Sequence, residues 1–242
     1  MRRRTPRSFA FAQDDNDAHP SQTRIVNPTP KHVPPRGLYL IVDPEVSVLA
    51  PERVVEIAFA AGARLFQLRA KRMAPRDALS LARRIRALVP KGEGLFIVND
   101  RVDLAGLADA DGVHLGREDL PIDVARAQLG AGAVVGASTH TVEEALEAER
   151  TGADYVGFGP MNPTGSKTEG LHARRTLDDL RAVRAAGVRL PIFPIGGITA
   201  DQVPDLMEAG ASGVAVISAV CGAGTEEALR AAVRGFLGRG SR

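Results

Sequence analysis

The sequence predicts an α/β fold in which one chain of alternating strands and helices closes into a single barrel, and three observations carry that expectation. Eight short apolar, β-branched runs are separated by longer stretches of helical periodicity, an alternation that makes neighbouring strands parallel. The runs are continuously apolar, so both faces of each strand are covered. Eight such units over roughly 200 residues fit a (β/α)8 TIM barrel, typically about 250 residues long. An open doubly wound sheet would need fewer strands or a second domain.

The runs begin at Gly37 and are Leu38–Val42, Leu65–Leu68, Leu95–Val98, Gly112–Leu115, Val134–Ala137, Tyr155–Phe158, Ile192–Ile195 and Val214–Ile217. Between them lie helix-like stretches such as "APRDALSLARRIRAL", "TVEEALEAERTG", "TLDDLRAVRAAG" and "TADQVPDLMEAG". Several start with Thr or Asp, which cap orphan amides, and several end with Gly, which tolerates the left-handed turn after a helix. "AGA" or "TGAD" precedes the strands at 61–63, 151–154 and 209–211, a repeated helix-to-strand turn.

Residues 1–36 follow no hydrophobic period and read as a disordered tail. A start-site artefact, with translation beginning near Val33, is an equal reading; recovery of Arg2 by N-terminal sequencing of native protein would refute it. The catalytic domain is expected over 37–242. The chain is 44% hydrophobic with no Trp, so Leu, Val, Ile and Ala must build the core. The sequence pI is near 9.0, but the tail holds seven of the 31 Lys/Arg and only three of the 29 Asp/Glu. The remainder, 24 basic against 26 acidic, argues against a nucleic-acid surface. Cys221 is the sole cysteine, which excludes an intrachain disulfide and points to a reducing cytoplasm. No apolar run approaches the roughly 20 residues of a membrane span. The Arg-rich start lacks the apolar core of a secretory signal.

In such barrels the chemistry lies at the carboxyl ends of the strands. The second strand runs into Gln67, Arg69 and Lys71, which a period of two sends to one side, as an anion site or as a solvated charge run. The third ends in Asn99-Asp100, and the loop after the fourth carries Glu118-Asp119. Two carboxylates at neighbouring strand ends suit a shared Mg²⁺, with phosphate and water completing its shell. Taken singly, Asp100 equally fits the N-cap of a helix near Val102, and Asp119 the cap of one at Pro121. After the fifth strand, Ser138 is placed to donate to a substrate oxygen, and Thr141 with Glu144 reads as a capping box. His140 reads as structural, and His114 as a packed or hydrogen-bonded core residue. The loop "GPMNPTGSKTEG" offers Thr164, Ser166 and Lys167 as an anion clamp or a plain surface loop. Gly196-Gly197 and Ile217-Ser218 occupy the usual phosphate position after strands seven and eight.

Seven segments carry a family resemblance: "QLRAK", "IVNDRVDLA", "ADGVHLGRED", "GASTHTVEEA", "ADYVGFGPMNPTGSK", "IFPIGGIT" and "ASGVAVISAV". In this order they resemble the thiamine-phosphate synthase family, over about Gly37 to Leu237. The resemblance implies a transferase that joins 4-amino-2-methyl-5-(diphosphooxymethyl)pyrimidine to 4-methyl-5-(2-phosphooxyethyl)thiazole, releasing pyrophosphate. It implies that Gln67, Arg69, Lys71, Asn99, Ser138 and Lys167 bind the pyrimidine diphosphate. Asp100 and Asp119 would bind Mg²⁺, while Thr164, Gly165, Ser166, Gly197, Ile217 and Ser218 would bind the thiazole phosphate. The mechanism implied is dissociative, and Arg69, Lys71, Ser138 and Lys167 would act in catalysis. One departure stands out: the family's clamp reads Pro-Thr-x-Thr-Lys, and here Ser166 keeps the hydroxyl but lacks the methyl. A related thiazole tautomerase shares the barrel and the thiazole site but needs no metal pair. A sugar-phosphate isomerase would share "IGGI" alone. A non-catalytic thiamine-precursor sensor would show a degraded charge set or an added domain. Oligomeric state and any preference for a carboxylated thiazole are not legible in the sequence.

Overall fold

Strands form where β-branched and aromatic residues cluster, and the chain order of those strands is also their order around a barrel. The computed structural model describes residues 36–163 and 173–238. Thr164, Gly165, Ser166, Lys167 and the tail 1–35 lie outside the described residues. The strands are β1 (Gly37–Val42), β2 (Leu65–Leu68), β3 (Leu95–Asn99), β4 (Gly112–Leu115), β5 (Val134–Thr139), β6 (Tyr155–Phe158), β7 (Ile192–Pro194) and β8 (Gly213–Val216). All named pairings are parallel, in the order β7-β6-β5-β4-β3-β2-β1-β8, and a single bridge from Ile195 to Ala215 links the two ends. The fold is therefore a nearly closed (β/α)8 barrel.

The helices are α1 (Pro51–Ala60), α2 (Pro75–Leu88), α3 (Val102–Leu107), α4 (Ile122–Leu129), α5 (Val142–Arg150), α6 (Leu177–Ala185), α7 (Val203–Glu208), α8 (Ser218–Cys221) and α9 (Glu226–Leu237). Thr141, Thr176 and Thr225 cap α5, α6 and α9 through their hydroxyls. Helices α1, α2 and α7 instead carry Pro in the first turn, where its missing N–H costs nothing. The stretch beginning at Thr199 is not one helix. It opens with a 3-10 turn over Ala200–Gln202 before α7, and Pro204 sits at the junction.

Counting by twos along each strand separates two apolar sets. The outward set, including Leu40, Phe66, Val98, Val113, Val135 and Val156, packs under the helices. The inward set fills the barrel with Tyr39, Leu65, Leu95, Ile97, Val134, Tyr155 and Phe193. Three of these rings, Tyr39, Tyr155 and Phe193, meet edge-on with centroids 5.4–5.7 Å apart and plug the interior. Gly136 makes room: a Cβ there would lie 2.1 Å from the Tyr155 ring. The next inward positions toward the carboxyl ends are polar, and that turnover makes the site. Among the described residues, no helix is long and apolar enough to cross a membrane.

Candidate active site

The inward positions beyond the plug are Asp43, Arg69, Asn99, Gly116 and Ser138, each at or just past the end of its strand. Asn99, Arg69, Gly116 and Ser138 line a cavity of about 830 Å³ at this end of the barrel. Lys71, Asp100, Asp119, His140, Gly196, Gly197, Ile217 and Ser218 share its wall. Of the fourteen residues assigned to the site by sequence, ten are among the described residues, and all of these but Gln67 line this one space. Gln67 lies lower, 2% exposed inside the barrel, with its amide nitrogen unpartnered.

Asp100 owes its direction to an unusual backbone. Its φ is +61°, a left-handed value that Asp tolerates better than most residues, and its N–H donates to the His114 carbonyl at 2.8 Å. That turn leaves its carboxylate free of the capping role: α3 is entered through Arg101, with no side-chain cap. Asp119 does not cap α4 either, since Pro121 holds that position. Its carboxylate accepts the Gly116 N–H at 2.6 Å, which folds the loop back over the rim. Asp100 and Asp119 lie within hydrogen-bonding reach of each other. Burial, helped by Asp119 and opposed by Lys71, pushes the Asp100 carboxyl up to about 6. The Lys71 ammonium stands 3.5 Å from Asp100.

This donor set fits a hard divalent cation. Two facing carboxylates repel unless a proton or a cation lies between them, and oxygen ligands are what Mg²⁺ takes. Among the described residues, no group of three or more His, Cys, Asp or Glu gathers for a metal. A cation here would complete its shell with substrate oxygens and water.

Arg69 reaches the cavity under tight control. Its Nη1 donates to Asp43, whose carboxylate is 1% exposed and also accepts the Glu45 N–H at 3.0 Å. The Arg69 Nε is buried without a partner. Asp43 is a residue the sequence reading missed. The signal was present, because Asp43 falls in register with the inward positions of β1, but an acid after an apolar run also reads as an ordinary turn former.

On the β5 side, Ser138 Oγ lies 3.0 Å from His114 Nε2, and His114 Nδ1 lies 3.1 Å from the Tyr155 hydroxyl. His114 is the hydrogen-bonded interior residue that its place in the fourth run predicted. The Thr141 cap differs from expectation in one detail. Thr141 accepts the Glu144 N–H, but the Glu144 carboxylate returns to the His140 N–H at 2.6 Å and the His140 ring at 3.0 Å. Burial works against the Glu144 charge, yet the His140 hydrogen bonds and Arg117 outweigh it and hold the carboxyl below its usual range. His140 is thus braced at the cavity wall, not merely packed.

Opposite the acids, Gly196 and Gly197 turn with φ of +106° and +56°. A Cβ on Gly197 would lie 2.6 Å from the Pro163 carbonyl oxygen, so the turn needs glycine for both conformation and space. The chain from Met161 is laced onto it: Met161 and Asn162 N–H groups donate to Ile195 and Gly196 carbonyls at 2.9 and 3.0 Å. Beside this turn α8 begins at Ser218; the Val220 N–H is the first to find an intrahelical acceptor, the Ile217 carbonyl, and the two amides before it have none. One wall is therefore cationic and acidic side chains, the other glycine turn and helix start.

The family model described as thiamine monophosphate synthase matches residues 38–220. A thiamine-phosphate synthase of Chlorobium luteolum is 45% identical over 194 residues, covering 80% of this chain and 89% of that protein. One from Natronomonas pharaonis is 46% identical over 193 residues, covering 79% and 90%. The solved structure of thiamine phosphate pyrophosphorylase from Pyrococcus furiosus superposes with a TM-score of 0.72 at 38% identity, covering 83% of this chain and 93% of that one. The chain belongs to the thiamine monophosphate synthase family.

Proposed function

We propose that this protein is a thiamine-phosphate synthase, a transferase that condenses the pyrimidine diphosphate with the thiazole phosphate and releases pyrophosphate. The observation that carries the reading is the two-walled cavity: Arg69, Lys71, Asp100 and Asp119 on one side, Gly197, Ile217 and Ser218 on the other. The first wall suits a departing pyrophosphate and the second a phosphomonoester.

Asp100 and Asp119 would hold Mg²⁺, which supplies charge neutralisation on the leaving group when bound. Arg69, fixed by Asp43, and Lys71 present fixed positive charge to the same oxygens, and a preorganised charge stabilises a transition state without reorganising. Asn99 and Ser138 orient the pyrimidine, with Gln67 below them. Gly197, Ile217 and Ser218 anchor the thiazole phosphate so that the ring nitrogen faces the methylene. Fixing both partners removes much of the entropic barrier to a bimolecular step. Thr164, Gly165, Ser166 and Lys167 join the two sites by family resemblance. No protein nucleophile is required. The tautomerase reading leaves the acid pair and Lys71 without a task. A cytoplasmic location accords with the single, buried, free Cys221.

The test is incubation with both phosphorylated substrates, with and without Mg²⁺. Thiamine phosphate and pyrophosphate are expected in equal amounts and only with the cation; proton exchange on the thiazole alone would point to the tautomerase. Asp100→Ala or Arg69→Ala is expected to lower turnover on the order of 10²–10³-fold, and near-normal turnover in either folded variant would refute the assignment.

A further inference from the structure

Four side chains form a continuous hydrogen-bonded file from the sealed barrel interior to the cavity. Tyr39 and Tyr155 hydroxyls are 2.6 Å apart, Tyr155 is 3.1 Å from His114 Nδ1, and His114 Nε2 is 3.0 Å from Ser138 Oγ. Tyr39 is 1% exposed, Tyr155 is fully buried and His114 is 8% exposed. Space for the file is built in: Gly136 leaves room for the Tyr155 ring, and a Cβ on Gly157 would come within 3.4 Å of His114.

The file has a direction, set by counting donors. The Tyr39 hydroxyl has one partner among the described residues, Tyr155. If Tyr39 accepted, its own proton would be orphaned in a sealed core, which costs the full desolvation of that hydroxyl. Tyr39 therefore donates to Tyr155. The Tyr155 proton then has one remaining acceptor, His114 Nδ1, so that nitrogen must be bare. A neutral imidazole with a bare Nδ1 carries its proton on Nε2, and that N–H donates to Ser138 Oγ. The Ser138 proton is left pointing into the cavity, where solvent or substrate accepts it at no cost. The reverse direction strands a donor at the sealed end; this one leaves its spare donor at the open end.

We infer that Tyr39, Tyr155 and His114 are positioning residues that fix Ser138 as a hydrogen-bond donor toward the substrate by imposing the Nε2–H tautomer on His114. This rests on the proposed synthase reading only in what Ser138 touches; the tautomer follows from the interior alone. Once Ser138 Oγ accepts from His114, its hydroxyl meets a substrate acceptor, such as a diphosphate oxygen or a ring nitrogen, and cannot serve as a base relayed through the imidazole.

The test has two arms. In protein carrying 15N-labelled histidine, with the His114 signals among the five histidines assigned by a His114→Gln variant, Nδ1 is expected to be bare and Nε2 protonated near neutral pH. A proton on Nδ1 would overturn the inference whatever reaction the protein catalyses. In the kinetic arm, Tyr155→Phe is expected to lower kcat roughly tenfold, with KM nearly unchanged, and to relax the tautomer preference. The double variant Tyr155→Phe/Ser138→Ala is expected to be no slower than Ser138→Ala alone, because Tyr155 acts through Ser138. Multiplied losses in the double variant would also overturn it. Failure of the wild-type protein to make thiamine phosphate would sink the synthase reading and leave the tautomer result standing.

Discussion

The two ends of the barrel are built from the same kinds of residue and used in opposite ways. At the amino end, charged groups are tied into the fold itself, by carboxylates or by backbone groups. Arg86 of α2 bridges Asp111 at 2.6 Å, and the same Asp111 oxygen accepts the Phe96 N–H of β3 at 2.7 Å. Arg126 of α4 bridges Asp154 at 2.8 Å, and Asp154 accepts the Val135 N–H of β5 at 2.7 Å. In the third repeat, Arg184 of α6 donates to the carbonyls of Gly210, Val188 and Leu190, while Ser212 takes the Ile192 N–H of β7. Each clasp ties a helix, the strand after it and the residue before the next strand. At the carboxyl end, by contrast, Asp100 faces Asp119, Arg69 Nε has no partner, and Asp100 holds a left-handed backbone. The contrast locates the division of labour: one end spends its charges on folding, the other keeps them available for a ligand.

The largest test of that division is at the amino end. Asp111→Ala leaves Arg86, only 11% exposed, without its carboxylate and deprives the Phe96 N–H of its acceptor. Breaking a buried pair from one side typically costs about 3–5 kcal/mol, so calorimetry is expected to show a drop in Tm on the order of 10 °C. Turnover per folded molecule should stay near that of the parent. A variant that melts normally but loses activity would erase the distinction between the ends.

A smaller effect is expected at the glycine turn. Gly197→Ala puts a methyl where φ is +56° and where a Cβ would sit 2.6 Å from the Pro163 carbonyl. The conformational cost alone is about 1–2 kcal/mol, and relief of the contact must push the turn away from its place. KM for the thiazole phosphate is expected to rise roughly tenfold or more, with the pyrimidine KM much less affected. Equal rises for both substrates would show that the two walls are not separate subsites.

These two ends also differ in how legible they were. Strands were plain, because a continuous apolar run needs only its own residues to declare itself. Counting by twos put Gln67, Arg69 and Lys71 on one side. The rule that chemistry lies at the carboxyl ends of the strands picked out Asn99, Asp100, Asp119, Ser138 and the phosphate turn without help from the family segments. The clasps left no local trace: Arg86 and Asp111 are 25 residues apart, Arg126 and Asp154 28. Asp43 was hidden for a similar reason, since its partner Arg69 lies one strand away. The return of the Glu144 carboxylate to His140 instead of Thr141 shows the limit of a motif: spacing fixes which residues are near, while the competing donor decides the bond.

The finest comparison is within the acid pair itself, in protein stripped of divalent cations. Burial and Asp119 raise the Asp100 carboxyl from 3.8 to about 6, above its unfolded value, so the folded state holds this proton more tightly than the unfolded chain. Its stability contribution is thus intact below about pH 4 and is lost as pH rises through 6. Asn at this position has no proton to lose. With chelator present, Asp100→Asn is expected to melt above the parent at pH 7.5 and level with it near pH 4. Asp100 is 23% exposed, and solvent screening reduces the gap to about 1 kcal/mol. Adding Mg²⁺ with pyrophosphate should reverse the order, because only the parent gains a ligand. A parent that is already the more stable at pH 7.5 in chelator would mean the carboxylates do not strain each other, and the carboxyl end would then resemble the amino end after all.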